Sequence, residues 1–424
     1  MRSELEKYFD RLWPLNRSLT GEGNRETLKI LSEISEIKIS EIPSGTECFD
    51  WNIPEEWNVK EAWIKDSRGN KIIDFRDNNL HLLGYSESYS GKITLEELKK
   101  HLFTLPDQPD VIPYLTSYYK RRLGFCLSEN QLSQFKDEIY EVLIDSEFKA
   151  NGSMTIGESV LNGETENEIL LSTYICHPSM ANNELSGPLT AAFINRELKK
   201  KKRTRFTYRT LYLPETIGSI YYLSVNGENF RKNLKAGYVI TCTGDKGNFT
   251  YKKSRSGNSL SDRAALLALR GKGIDFNIEE FFPTGSDERQ YCSPGFNLPV
   301  GSLMRTRYGK YKEYHTSADN KDFISFEALE DSVKMYLEVI NIIENNHKYI
   351  NLYPNCEPQL GKRDLYPTLG SSKNTEEIVS SIMWVLNLSD GSNDLIDITE
   401  RSNLPFETLH QAALMLEEKG LLKK

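Results

Sequence analysis

Residues 168–187 read EILLSTYICHPSMANNELSG, and this stretch decides the fold. Ile169, Leu170, Leu171, Tyr174 and Ile175 make an apolar run of strand length, apolar on both faces as a central parallel strand requires. Pro178 has no amide hydrogen, so the ladder is expected to stop directly after His177. The polar turn Asn182-Asn183-Glu184 then leads through Ser186 and Gly187 into a helix. His177 is thereby expected at the carboxyl-end rim of an open α/β sheet, where such sheets bind their ligands. Alone, it reads more readily as a satisfied rim histidine capping a loop.

A second, distant segment changes that reading. Tyr314-His315-Thr316-Ser317-Ala318-Asp319 follows a strand-like run at 299–304 and precedes a helical pattern over 326–349. Between the two histidines, residues 205–213 read as another buried strand that ends in Pro214-Glu215-Thr216, which puts a carboxylate on the same rim. Two neutral imidazoles and a carboxylate suit a borderline-soft divalent ion, above all zinc, with a glutamate free to take a proton from water.

At this point the chain resembles the zinc aminopeptidases of αβα fold. More closely, Arg17-Ser18-Leu19-Thr20-Gly21, Cys176-His177-Pro178-Ser179, Pro214-Glu215-Thr216-Ile217-Gly218-Ser219, Asp287-Glu288-Arg289-Gln290-Tyr291-Cys292 and Tyr314-His315-Thr316-Ser317-Ala318-Asp319-Asn320 are similar to motifs of aminopeptidase-like proteins associated with polysaccharide biosynthesis. The similarity spans nearly the whole chain. It implies a three-layer αβα zinc-aminopeptidase-like domain, with a β-rich inserted domain and a C-terminal winged-helix domain. Carried over residue by residue, it implies His177, Asn183 and His315 as metal ligands and Glu215 as the catalytic proton carrier. It also implies Asp287, Glu288, Arg289 and Tyr314 as substrate-binding residues, one zinc ion as cofactor, and a peptide or amide-bearing small molecule as substrate.

This chain departs from the wider group at three ligand positions. Asn183 stands where the group has a metal-bridging aspartate, Thr216 where it has a second glutamate, and Thr241 where it has a further aspartate. A neutral amide is a poor bridge between two dications. A single-ion site is therefore expected, its third ligand being Asn183 or a local acid such as Glu184 or Asp287. The alternative is a degenerate, metal-free scaffold that binds a sugar or peptide without catalysis.

Composition sets the outer bounds. With 424 residues, 38% hydrophobic and a net charge of −8, the chain reads as a soluble globular protein of two or three domains. No apolar run reaches the roughly twenty residues of a membrane span, and the polar start lacks a signal-like apolar segment, so a cytoplasmic protein without a membrane partner is expected. Six cysteines without CxxC spacing read as buried reduced thiols. Cys176 beside His177 suggests a nucleophile pair, but strand alternation is expected to point the two side chains to opposite faces.

Along the chain, residues 1–50 and 140–350 carry the αβα pattern. Residues 51–139 change to short strands and turns, an inserted β-rich module, and the strand-like run 140–144 is expected to resume the main domain. Residues 351–424 give three helical patterns and a terminal strand, the winged-helix outline. That tail holds seven Lys/Arg against eleven Asp/Glu, which opposes phosphate attraction, so it is expected to mediate interaction or homo-oligomerisation and to bind no nucleic acid. Lys252, Lys253 and Arg255 read either as a solvated basic turn or as an anion-binding group.

Overall fold

Every residue of the strand Glu168–Tyr174 is buried. In the computed structural model, which describes residues 1–365 and 373–424, this strand lies between Thr207–Leu213 and Leu234–Val239, parallel to both. Val300–Met304 extends the parallel set beyond Leu234–Val239. Antiparallel strands flank it: Ser153–Leu161 and then Lys38–Pro43 on one side, Phe249–Lys252 on the other, with Phe276–Glu279 outermost. The result is an eight-stranded mixed sheet.

Alternation along the strands assigns the helices to two faces. Leu170, Leu211, Leu213, Val239 and Val300 share one apolar cluster with Ile217, Ile220, Leu223 and Phe230 of the helix Ile217–Asn233. The opposite face carries Thr210 and Tyr212, whose side chains bond Asn195 of the helix Ser186–Lys199. That helix comes very close to the sheet at its start, where a Cβ on Gly187 would stand 2.4 Å from the Ile240 carbonyl oxygen. Helix, sheet and helix make the three layers.

The β-rich insert is a four-stranded antiparallel sheet in the order Lys71–Asp74, Glu56–Lys65, Ile139–Lys149, Tyr89–Thr94. This corrects one expectation: residues 140–144 do not resume the main sheet. Tyr140, Val142 and Ile144 are buried while Ile139 and Glu141 are exposed. That alternation marks a one-faced antiparallel strand, not the continuous burial of a central parallel one. The main sheet is rejoined only at Ser153.

Two compact units result, Met1–Asp262 with Asp275–Lys334, and Arg263–Ile274 with Met335–Lys424. In the second, the helices Lys373–Leu388, Leu395–Ser402 and Phe406–Glu418 accompany a small sheet of Asp390–Asp394, Lys348–Asn351 and Leu422–Lys423. The helical pattern expected to run to residue 349 stops at Asn345, and Lys348–Asn351 is a strand. Asn346 explains the stop: its amide accepts from Ile396 N and donates to Asp394 Oδ2, bonds that take the chain out of the helix. Among the described residues, no helix is long and apolar enough to cross a membrane.

Candidate active site

The carboxyl ends of Glu168–Tyr174 and Thr207–Leu213 deliver His177 and Glu215 to one rim. Pairing ends earlier than Pro178 demands: the ladder stops at Tyr174, and Ile175 N gives a last bond to Leu213 O at 2.9 Å. Cys176 and His177 therefore lie beyond the strand and do not alternate, contrary to the expectation of opposite faces. Cys176 Sγ lies 3.4 Å from His177 Nδ1. The thiol is nonetheless quiet. Burial pushes its pKa well above the ordinary value, and its sulfur accepts the Glu215 amide at 3.1 Å.

His177 Nδ1 and Glu184 Oε2 are hydrogen-bonded at 2.9 Å. Cys176, His177 and Glu184 bring three donor atoms within 4.8 Å of one another. Two observations argue against an ion among them. Nδ1 is already committed to Glu184, and the Arg17 guanidinium stands 3.5 Å from the other Glu184 oxygen, with both side chains fully buried. A cation fixed there opposes a dication at the same point. The cluster instead holds the imidazole and leaves Nε2 turned toward Glu215 Oε2, 3.8 Å away.

Glu184 reaches this place because residues Ala181–Leu185 form a single π-helical turn ahead of the helix Ser186–Lys199. Asp319 caps that turn, accepting from Asn182 N at 2.6 Å and Asn183 N at 2.9 Å, while its own carbonyl accepts from Ala181 N. The same turn places Asn183, whose Nδ2 donates to Tyr174 OH at 3.0 Å. Its Oδ1 is buried without a hydrogen-bond partner. Thr241 bonds Tyr174 OH and the Asn183 carbonyl.

His315 sits in the loop after Val300–Met304, at the positive φ of 56°. Its ring centroid is 5.4 Å from that of His177. Tyr314 stacks on it at 3.9 Å. Tyr114 of the insert packs 5.0 Å from His177 and 5.1 Å from His315, so three rings meet. The insert segment is tied down by Tyr114 N to His315 O, Ser317 N to Ile112 O, and the bridge Pro113 to Thr316. His315 Nε2 is buried with no hydrogen-bond partner. Burial lowers the pKa of both histidines to about 3, helped by the Arg17 charge at His177 and by His177 at His315. Both imidazoles are neutral at neutral pH and keep a lone pair for coordination.

Glu215 is partly exposed at 21% of its side chain. Burial first, and then the neighbouring Asp287 charge, raises its pKa to about 8. It is aimed by a strained turn: Thr216 has φ 68° and ψ −72°, and Ile217 N bonds back to Glu215 O at 2.8 Å. This is the rarer hand of γ-turn, costly for a residue with a Cβ. Asp287 Oδ1 holds it by accepting from Thr216 N at 2.7 Å and Ser219 Oγ at 2.9 Å. Arg289 donates to Thr216 Oγ1 at 2.8 Å.

Asp287 and Arg289 thus bind the Thr216 turn, although Asp287 Oδ2 is buried and unpartnered. Glu288 is expected from the resemblance to bind substrate, and Lys252 to lie in a solvated basic turn or an anion-binding group. Both are instead fully buried and paired to each other at 2.5 Å, with Tyr308 OH donating to Glu288 at 2.6 Å. Sequence reasoning gave no role to Arg17, Tyr114 or Asp319. Arg17 and Asp319 stood inside quoted motifs, whereas nothing in its spacing marks Tyr114.

The family described as a domain of unknown function (DUF4910) matches residues 6–346, and a winged helix-turn-helix family matches residues 347–424. A Clostridium acetobutylicum protein described as a polysaccharide biosynthesis protein with an aminopeptidase-like domain is 48% identical over 420 residues, 99% of this chain and 96% of that protein. A crystal structure from Clostridium acetobutylicum described as a peptidase is similar at a TM-score of 0.93 and 47% identity, over 100% of this chain and 96% of that one. A zinc aminopeptidase from Bacillus subtilis is similar at a TM-score of 0.58 and 11% identity, over 81% of this chain and 93% of that one, a likeness of fold alone. The chain therefore belongs to the DUF4910 family, with an aminopeptidase-like αβα domain followed by a winged helix-turn-helix.

Proposed function

We propose that this crevice is a single-ion amide-hydrolase centre in which His177, His315 and Asn183 hold a zinc ion and Glu215 carries the proton. One observation carries the reading. His315 Nε2 and Asn183 Oδ1 are buried polar atoms without hydrogen-bond partners, in a site where His177 is fixed with its own Nε2 turned away from Glu184. Two neutral imidazoles and an amide oxygen suit one borderline ion. They do not suit two, because the positions that would supply further charge are Asn183, Thr216 and Thr241. When bound, such an ion supplies Lewis acidity to an amide carbonyl.

The chain's own groups do the rest. Glu215 takes a proton from the attacking water and passes it to the leaving nitrogen, so that a C–O bond forms, the C–N bond breaks, and an acid and an amine leave. Tyr114 and Tyr314 exclude water from the imidazoles. The substrate is a peptide or an amide-bearing small molecule, a class supported by the aminopeptidase-like relative.

Zinc titration of the full chain tests the site. Wild type should take up one ion, His177→Ala and His315→Ala should each lose it, and Asn183→Asp should bind more tightly because a charged oxygen replaces a neutral one. Unchanged zinc uptake in both histidine variants would overturn the proposal. Amide turnover lost in Glu215→Gln with zinc retained would assign the proton carrier.

A further inference from the structure

Arg17 opens the loop Arg17-Ser18-Leu19-Thr20-Gly21, a motif to which the hydrolase reading gives no task. Its side chain is fully buried. Nε donates to the His177 carbonyl at 3.1 Å and Nη1 to the Leu12 carbonyl at 2.7 Å, while Nε also faces Glu184 Oε1 at 3.5 Å. The other Glu184 oxygen is hydrogen-bonded to His177 Nδ1. One guanidinium therefore bonds the main chain of the histidine and sets its charge beside the side chain that holds the ring, whose Oε1 has no hydrogen-bond partner. The loop is itself pinned: the Asn24 side chain bonds Ser18 N and Ser18 O, and Thr20 Oγ1 meets Tyr85 OH at 2.7 Å and accepts from Trp57 N at 2.9 Å.

A carboxylate on one imidazole nitrogen fixes the tautomer and the ring's direction, leaving the other nitrogen's lone pair for a ligand. We infer that Glu184 is a positioning residue that locks His177 in its Nδ1–H form with Nε2 facing Glu215, and that Arg17 is the positioning residue that holds Glu184 to this task. The inference deepens the proposed function and rests on it for its zinc readout. The tautomer readout does not. A plain structural ion pair would stabilise the fold without setting the ring.

Three variants of the full chain separate these cases. Glu184→Gln alone strands a buried cation and is expected to lower Tm. Arg17→Met with Glu184→Met removes both charges and the oxygen that bonds His177 Nδ1. Arg209→Met with Glu168→Gln and Glu158→Gln removes another ion-pair group, Arg209 with its two glutamates at 2.6 and 2.5 Å, as a control. Nitrogen-15 NMR of the imidazoles is tractable because the chain has six histidines.

Metal-free wild type should show His177 protonated at Nδ1. The Arg17/Glu184 double variant should lose that single tautomer and bind zinc about 10- to 100-fold more weakly. The control should change neither. Wild-type His177 found protonated at Nε2, or a double variant with unchanged tautomer, would overturn the inference. Unchanged zinc affinity in that variant overturns it too, provided His177→Ala abolishes binding. If His177→Ala leaves zinc binding intact, the metal reading fails by itself and the tautomer still decides this one.

Discussion

Replacing Lys252 by methionine should cost about 3–5 kcal/mol of stability, the penalty for leaving one member of a buried pair uncompensated. Lys252 Nζ bonds Glu288 Oε1 at 2.5 Å, the Thr284 carbonyl at 3.0 Å and Tyr308 OH at 3.0 Å, and lies 3.5 Å from the centre of the Phe282 ring. After the substitution the fully buried Glu288 keeps the Tyr308 hydroxyl and loses its counter-charge. Lys252→Met with Glu288→Gln removes both charges and should recover most of the loss, since replacing a whole buried pair is often near neutral. Calorimetry of the full chain reads the difference, at about 2 °C in Tm per kcal/mol for a unit of this size. A single variant within about 1 kcal/mol of wild type would refute the reasoning, as would a double variant no better than the single.

Gly187→Ala should destabilise by about 1–3 kcal/mol or more, because its Cβ would meet the Ile240 carbonyl oxygen at 2.4 Å and Thr173 Oγ1 at 2.5 Å. Gly295→Ala, with open space around it, is the matched control, and equal Tm values would deny the close packing. Burial pushes the Glu56 carboxyl up, but hydrogen bonds from Arg25, Ser153 N and Asn58 outweigh it and bring the pKa down to about 2. The stability it adds is therefore present above its ordinary value of about 4.3 and is lost as pH falls through that value toward about 2. Glu56→Gln should flatten this part of a Tm-versus-pH curve, and an unchanged slope would contradict it. The helix Phe406–Glu418 exposes Glu407, Gln411, Leu414 and Glu418, a face without a cation. The intact chain should show no salt-dependent affinity for duplex DNA by fluorescence anisotropy.

What was legible in the sequence were features that local chemistry fixes. The largely apolar run around Leu170 reads as a central strand and is one, and the His177, Glu215 and His315 motifs lie together at one crevice because their strands share a rim. Residues 140–144 do not disclose their sheet because Tyr140, Val142 and Ile144 look alike as one face of a sheet or as part of a buried strand. Only the partner strand Glu56–Lys65 decides between them. Arg17, Lys252 and Glu288 were illegible for a related reason. A charged residue reads as solvated unless its buried partner is known, and those partners lie 167 and 36 positions away for Arg17–Glu184 and Lys252–Glu288. Cys176 and His177 became neighbours because the ladder ended at Tyr174, before the proline that seemed to end it.

The bridge between Pro113 and Thr316 makes the insert inseparable from the enzyme-like domain it interrupts. His315 has its main-chain carbonyl occupied by Tyr114 N, and Ile112 exchanges bonds with Ser317 through both its amide and its carbonyl. A histidine held at a left-handed φ needs such external restraint, since its own backbone preference works against it. Residues 112–114 are thus a seat for His315, and a chimera that grafted a foreign module between the same strands would have to recreate that edge before the second imidazole could find its place.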